Sequence, residues 1–468
     1  MLFNTIHFLI FFVIVTLAYF SLGWSGRWRL LLLASCYFYM IFKPIYFLIL
    51  LSTIVIDYVA GILLENEKNA VRRKLLLIIS LISNIGILAY FKYFNFLNDS
   101  LTELLSWVSI ANPIKALDIL LPVGLSFHTF QAMSYTIEVY RGNHKAERHF
   151  GIYALYVMFY PQLVAGPIER PQNVLYQFHQ FHQFNWEKVK SGLFLIAFGL
   201  FKKVVIADRL AMLVDFCYDH PEEKNGLSLL LATFFYTFQI YCDFSGYSEI
   251  ALGTARVMGF ELMENFHSPY FSGSISEFWR RWHISLSTWF RDYLYIPLGG
   301  NRVSEFRKYL NQFIVFMVSG LWHGANWTFV IWGSLHGFYL IVAIFRNKYF
   351  PSLKLPKNLW GQSLNVLSTF TLVMLAWVFF RAKTLHDATI VLQKISFVSF
   401  TDSLQSPLNK LELLFCFALI AILLLKDWKF FHVDTSSNKK FWVLTCSLAV
   451  LTYFLGVFET NQFIYFQF

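Results

Sequence analysis

Residues 309–345 form a run of 37 positions without a single Asp, Glu, Lys or Arg. One helix crosses a hydrocarbon core with about 20 residues, so this run either spans twice or breaks midway. Gly320, Gly324 and Asn326 mark a convenient place for the break. In their midst stands His323, in the hexapeptide SGLWHG. An ionisable side chain at such depth is costly and marks a candidate functional site. From this segment alone, a histidine satisfied by a neighbouring helix would look the same.

The rest of the chain agrees with a membrane setting. Of 468 residues, 57% are apolar and 14% charged, against about 25% charged in soluble domains. The expected class is an all-α polytopic membrane protein. Residues 2–26 read as a retained first span, because no basic stretch precedes them as in a signal peptide. Further candidate spans are 30–42, 45–64, 75–97, 150–167, 191–214, 227–242, 358–380, 411–425 and 441–458. The expectation is about 10 to 12 elements, some re-entrant. Non-helical backbone at depth must be buried in protein or border a wet cavity.

The net charge of +10 sits in short loops between apolar runs, so nucleic acid is not the expected partner; the lipid bilayer is. Arg27 and Arg29, then Lys68, Arg72, Arg73 and Lys74, place the first two loops on the cytoplasmic side by the positive-inside rule. The five cysteines show no ligand spacing and read as buried thiols, with no metal site expected.

Between residues 243 and 307 the composition changes. SISEFWRRWHISLSTWFRDYLYIPLGGNR (274–302) is too polar to span and too aromatic for a free loop. It is expected to be an interfacial or re-entrant helix, with Phe278, Trp282, Ser285 and Trp289 on one face and Arg280, Ser287 and Arg291 toward the other. Two readings stay open. The block is a basic surface helix on anionic lipid, or its arginines Arg280, Arg281 and Arg291 hold an anionic donor such as a coenzyme-A pyrophosphate. Other histidines carry less. His179 and His182 are three apart but lack a third ligand, His128 lies in a semi-polar run that could line a cavity, and His336 reads as structural.

RWHISLSTWFRDYLYIPLGGNR followed by GLWHGANWTFVIWG resembles the signature region of the membrane-bound O-acyltransferase family. LPVGLSFHTFQAMSYTIEVYRG (121–142), FYPQLVAGPIERP (159–171) and YCDFSGYSEIALGTARVMGF (241–260) resemble its bacterial alginate O-acetylase branch. The resemblance implies one integral membrane domain over 1–468, with N-terminal spans (1–117), a motif-bearing core (118–345) and C-terminal spans (346–468). It implies a ring of transmembrane and re-entrant helices around a central tunnel. It makes His323 the catalytic histidine and His283 the second polar position, with Asn326 and Asp243 added as substrate-contacting candidates. No cofactor is implied; the donor would be acetyl-CoA or another acyl thioester. An exported SGNH-type acetyltransferase or esterase partner would finish the transfer to a polysaccharide, with this chain in the bacterial cytoplasmic membrane.

Acyl transfer from a thioester to a hydroxyl needs a base and a group that steadies the oxyanion. A neutral imidazole suits the first role, with an ordinary pKa of about 6.5. His323 is therefore expected to be the base, and His283 or Asn326 to orient the carbonyl. The ending FIYFQF either anchors the last span at the interface or, by resemblance to a motif of the teichoic-acid D-alanylation system, makes Tyr465 an acyl relay. Peptidoglycan and teichoic acid are alternative acceptors. From another class, a lipid-linked glycan transporter would show paired internal repeats, and none is visible in the chain.

Overall fold

The computed structural model describes residues 1–118, 121–164, 166–353, 355–356, 358–399, 401–429, 433–458 and 463–464. Every regular element among them is helical. Five helices are long and apolar enough to cross a membrane: Tyr46–Asn66, Ala70–Ser106, Gly226–Val257, Trp327–Tyr349 and Leu359–Arg381. The chain is a multi-pass membrane protein, and several of the other expected spans are shorter or interrupted helices.

One compact unit comprises residues 1–196 and 250–263. It contains α1 (Ile6–Ser21), α2 (Trp24–Met40), α3 (Tyr46–Asn66), α4 (Ala70–Leu88), α5 (Phe94–Ser106) and α6 (Leu125–Arg141). The short α7 (Phe150–Met158), α8 (Tyr160–Leu163) and α9 (Pro171–Val174) follow. Asn69 starts α4 by accepting from the Val71 and Arg72 amides, satisfying donors that the helix itself leaves orphaned. The apolar helices carry a polar knot where α3, α4 and α6 meet. Buried Asp57 accepts from Asn84 Nδ2 at 2.8 Å, from Thr136 Oγ1 at 2.9 Å and from the Ser80 hydroxyl. Such interhelical hydrogen bonds fix register where lipid supplies no hydrophobic drive. The expected span over 150–167 instead ends at Met158, because a continuous helix would press the Pro161 ring against the Val157 carbonyl.

The second unit comprises residues 197–249 and 264–468. It holds α11 (Asp208–Tyr218), α13 (Ile275–Arg281), α14 (Ile284–Phe290), α15 (Glu305–His323) and α16 (Trp327–Tyr349). It continues with α17 (Leu359–Arg381), α18 (Leu385–Ser396), α19 (Lys410–Lys429) and α20 (Asn438–Leu455). Two helices, α10 (Trp186–Leu200) and α12 (Gly226–Val257), contribute residues to both units. The expected span 191–214 is interrupted by a π-helix, Phe201–Ala207, that carries Lys202 and Lys203. Both ammonium groups are buried, and each is neutralised. Lys202 reaches Glu249 at 2.6 Å, and Lys203 reaches Asp208 at 2.7 Å and Asp243 at 2.6 Å. Buried charges persist only when paired in this way.

The uncharged run 309–345 breaks where expected. α15 ends at His323, Gly324 is extended, and Asn326 caps α16 by accepting from the Thr328 amide at 3.0 Å. The two helices fold back as an antiparallel hairpin. A Cβ on Gly320 would run into the Phe329 carbonyl, and one on Gly333 into the Phe316 carbonyl. Glycine at both positions lets the backbones touch.

Two expectations are corrected here. The block 274–302 is not one helix with continuous faces, because it breaks at Trp282–His283 and again becomes a π-helix at Arg291–Tyr295. The cysteines form no disulfide among the described residues, yet Cys446 is exposed rather than buried.

Candidate active site

His323 closes α15, so its side chain sits at the one turn where the hairpin backbone leaves helical geometry. Its Nδ1 lies 2.7 Å from the Ser319 carbonyl oxygen. A carbonyl only accepts, so Nδ1 carries the proton and Nε2 presents a lone pair. The helix itself thereby selects the tautomer of the imidazole.

His283 faces it. The two rings are edge-on, with centroids 6.5 Å apart and planes at 81°. His283 is fully buried and adopts φ 42° and ψ 56°, the left-handed region that costs a β-carbon residue about 1–2 kcal/mol. Its neighbours over-determine that backbone. The Asn265 carbonyl accepts from the Ile284 amide at 2.9 Å, the Asn265 side chain accepts from the Ser285 amide at 3.1 Å, and the His267 amide donates to the Arg281 carbonyl at 2.9 Å. A strained residue held from both sides is characteristic of a functional position. Composition gave no sign of it.

Aromatic rings enclose the pair. Trp332 stands 4.8 Å from the His323 ring, Trp322 5.0 Å and Phe380 5.5 Å, while Phe244 lies edge-on to His283 at 4.6 Å. This aromatic wall lowers the local polarity and strengthens hydrogen bonds made within it.

A cavity of about 400 Å³ adjoins the histidine turn, in the size range of small-molecule sites. Arg280, Ser287 and Arg291 line one side, and Gln312, Phe316 and Ser319 of α15 line the other. Ser319 therefore belongs to both features: its backbone orients His323 and its residue borders the cavity. Both arginines are exposed, Arg280 near Ser276 and Arg291 against Asp292 at 2.7 Å.

A family model for the membrane-bound O-acyltransferases matches residues 148–380, which include both histidines and the cavity-lining positions. A Pseudomonas aeruginosa protein named "Probable alginate O-acetylase AlgI" is 42% identical over 83% of this chain and 73% of its own length. The chain belongs to the membrane-bound O-acyltransferase family. A Helicobacter pylori peptidoglycan O-acetyltransferase is 35% identical over 94% of this chain and 91% of the relative. A Bacillus subtilis teichoic acid D-alanyltransferase is 29% identical over 56% of this chain and 69% of the relative. Both histidines lie inside the matched region, with their rings 6.5 Å apart.

The other expected site residues fall elsewhere. Arg281 pairs with Glu277 at 2.6 Å and is not among the cavity-lining residues. Asn326 uses its carbonyl as the α16 cap and its amide on the Lys383 carbonyl at 3.1 Å, so it holds the turn. Asp243 is buried against Lys203. Tyr465 lies outside the described residues. His179 meets Glu147 at 2.7 Å and His182 the Gln177 carbonyl at 2.9 Å, each with its own partner. His336 accepts from the Trp279 indole at 3.3 Å and lies edge-on to Trp332, with ring centroids 5.1 Å apart.

Glu169, in the loop after α8, is fully buried and accepts from the Met263 amide at 2.6 Å. Burial pushes its carboxyl up to about 7, against the lowering effect of that amide and of Asn173.

Proposed function

We propose that this O-acyltransferase takes an acetyl group from acetyl-CoA on the cytoplasmic side of a bacterial inner membrane and passes it outward for O-acetylation of an alginate-like polysaccharide. The observation that carries the chemistry is the 2.7 Å bond from His323 Nδ1 to the Ser319 carbonyl, which leaves Nε2 as the base. Nε2 removes the proton of the acceptor hydroxyl while its oxygen attacks the thioester carbonyl. His283 donates to the resulting oxyanion. As the tetrahedral intermediate collapses, the C–S bond breaks and the His323 proton passes to the departing thiolate.

Arg280 and Arg291 suit the donor's phosphates, since a guanidinium fork matches phosphate oxygens at a cavity mouth. Arg281 fits less well, because it is not among the residues that line the cavity. The first acceptor hydroxyl could be that of Tyr465, and an exported SGNH-type partner would then deliver the acetyl group to sugar. The higher identity to the alginate relative favours alginate over peptidoglycan, whose relative nevertheless aligns over more of the chain. Teichoic acid is favoured least, by identity and by coverage.

Inside-out vesicles given acetyl-labelled acetyl-CoA test this reading. Release of CoA and label transfer that require His323 support it, and label transfer independent of His323 overturns it.

A further inference from the structure

Leu455, Val457, Phe463 and Ile464 are fastened inside the second unit by contacts that the transfer chemistry does not use. The Arg209 guanidinium donates to the Leu455 carbonyl at 2.7 Å, and the Val457 amide to the Val204 carbonyl at 2.8 Å. Farther on, the Ile464 amide donates to Asp243 Oδ2 at 2.8 Å, while Asp243 Oδ1 stands 2.6 Å from Lys203 Nζ. Phe463 is fully buried on Tyr247, with ring centroids 4.3 Å apart, and lies 5.9 Å from Phe244. Phe244 is the ring packed edge-on against His283. A line of contacts thus runs from the tail through Phe463 and Phe244 to His283 and His323.

Asp243 is the hinge of this arrangement. One carboxylate oxygen meets a buried ammonium and the other a backbone N–H from a segment 221 positions later. A carboxylate accepting from an amide is a strong, directional bond in a low-dielectric site. It is also a bond that any residue at 464 can make, because only the backbone takes part.

We propose that Lys203 and Asp243 form a latch that seats the C-terminal segment, through Ile464 and Phe463, against the Phe244 side of the histidine pair. Asp243 is then a positioning residue for acyl transfer and touches no substrate. The effect on transfer rests on the histidine chemistry proposed above; the latch itself does not.

Maleimide labelling of Ile464→Cys in the full chain, with its five native cysteines replaced, reads the latch directly in native membranes. The side-chain change spares the N–H bond, so labelling should be slow. Adding Asp243→Ala should raise the labelling rate about tenfold or more, and Phe463→Ala should do so even if Asp243→Ala fails to fold. In the native sequence background, Asp243→Ala and Phe463→Ala should each lower acetyl transfer severalfold, and the combination should be no worse than either alone. An unchanged labelling rate in both single variants overturns the latch, and losses that multiply overturn its role in positioning. His323→Ala should abolish transfer with labelling still slow. If transfer instead persists, the histidine chemistry fails while the latch stands.

Discussion

The Nδ1 of His323 lies 2.7 Å from the carbonyl oxygen of Ser319, four residues earlier on the same helix. That carbonyl lies in the last turns of α15, which ends at His323. A backbone carbonyl has two lone pairs, so it can accept from the ring as well as from the helix. The imidazole is thereby oriented by its own helix, and the break at Gly324 turns the chain back into α16 directly after it.

His283 is expected to act on the developing oxyanion, so its loss should appear in kcat. His283→Ala should lower kcat about 10²–10³-fold with a smaller change in KM. It should also lose stability, since alanine at φ 42° carries the same strain without the ring contacts. His283→Asn tolerates the left-handed backbone and keeps a donor, so it should retain more activity and a higher Tm. Equal kcat for the wild type and the alanine variant would remove His283 from the chemistry.

The hairpin tests differently. Gly320→Ala and Gly333→Ala each push a methyl group into an opposing backbone carbonyl, and each should cost about 1–3 kcal/mol. Gly86→Ala in α4 meets nothing within 4 Å and should be neutral or slightly stabilising, by up to about 1 kcal/mol. Thermal unfolding in detergent separates the two classes.

Glu169 gives the pH dependence a definite sign. Its carboxyl is raised to about 7 in the folded protein, chiefly by burial. The folded state thus keeps a proton that the unfolded chain releases above its ordinary value of about 4.3. Its contribution is fully present below that ordinary value and is lost as pH rises to about 7. Glu169→Gln retains an acceptor for the Met263 amide and should flatten the fall in Tm between about pH 5 and 7. An unchanged slope would show that other groups set it.

Much of this was legible in the residues. The uncharged run and its glycines located the hairpin break, because length against membrane thickness leaves few alternatives. His323 and His283 became candidates through motif context, and the structure brings their rings within 6.5 Å of each other. Three things were not visible. A left-handed backbone at His283 has no marker in a residue type that normally avoids it, so helical periodicity carried the 274–302 block straight through the break. Lys202 and Lys203 fall inside the expected span 191–214, and only tertiary contacts reveal Glu249, Asp208 and Asp243 opposite them. Asp243 matched a motif block, but that match could not say that its partners are a lysine and a distant backbone amide.

The central claim is that His323 is the base for acyl transfer. It is tested most directly by single-turnover transfer from labelled acetyl-CoA in native membranes, comparing wild type with His323→Ala at matched, folded protein levels. The account predicts a loss of about 10²–10⁴-fold in the transfer step, with donor binding little changed. Transfer by His323→Ala at the wild-type rate would contradict it.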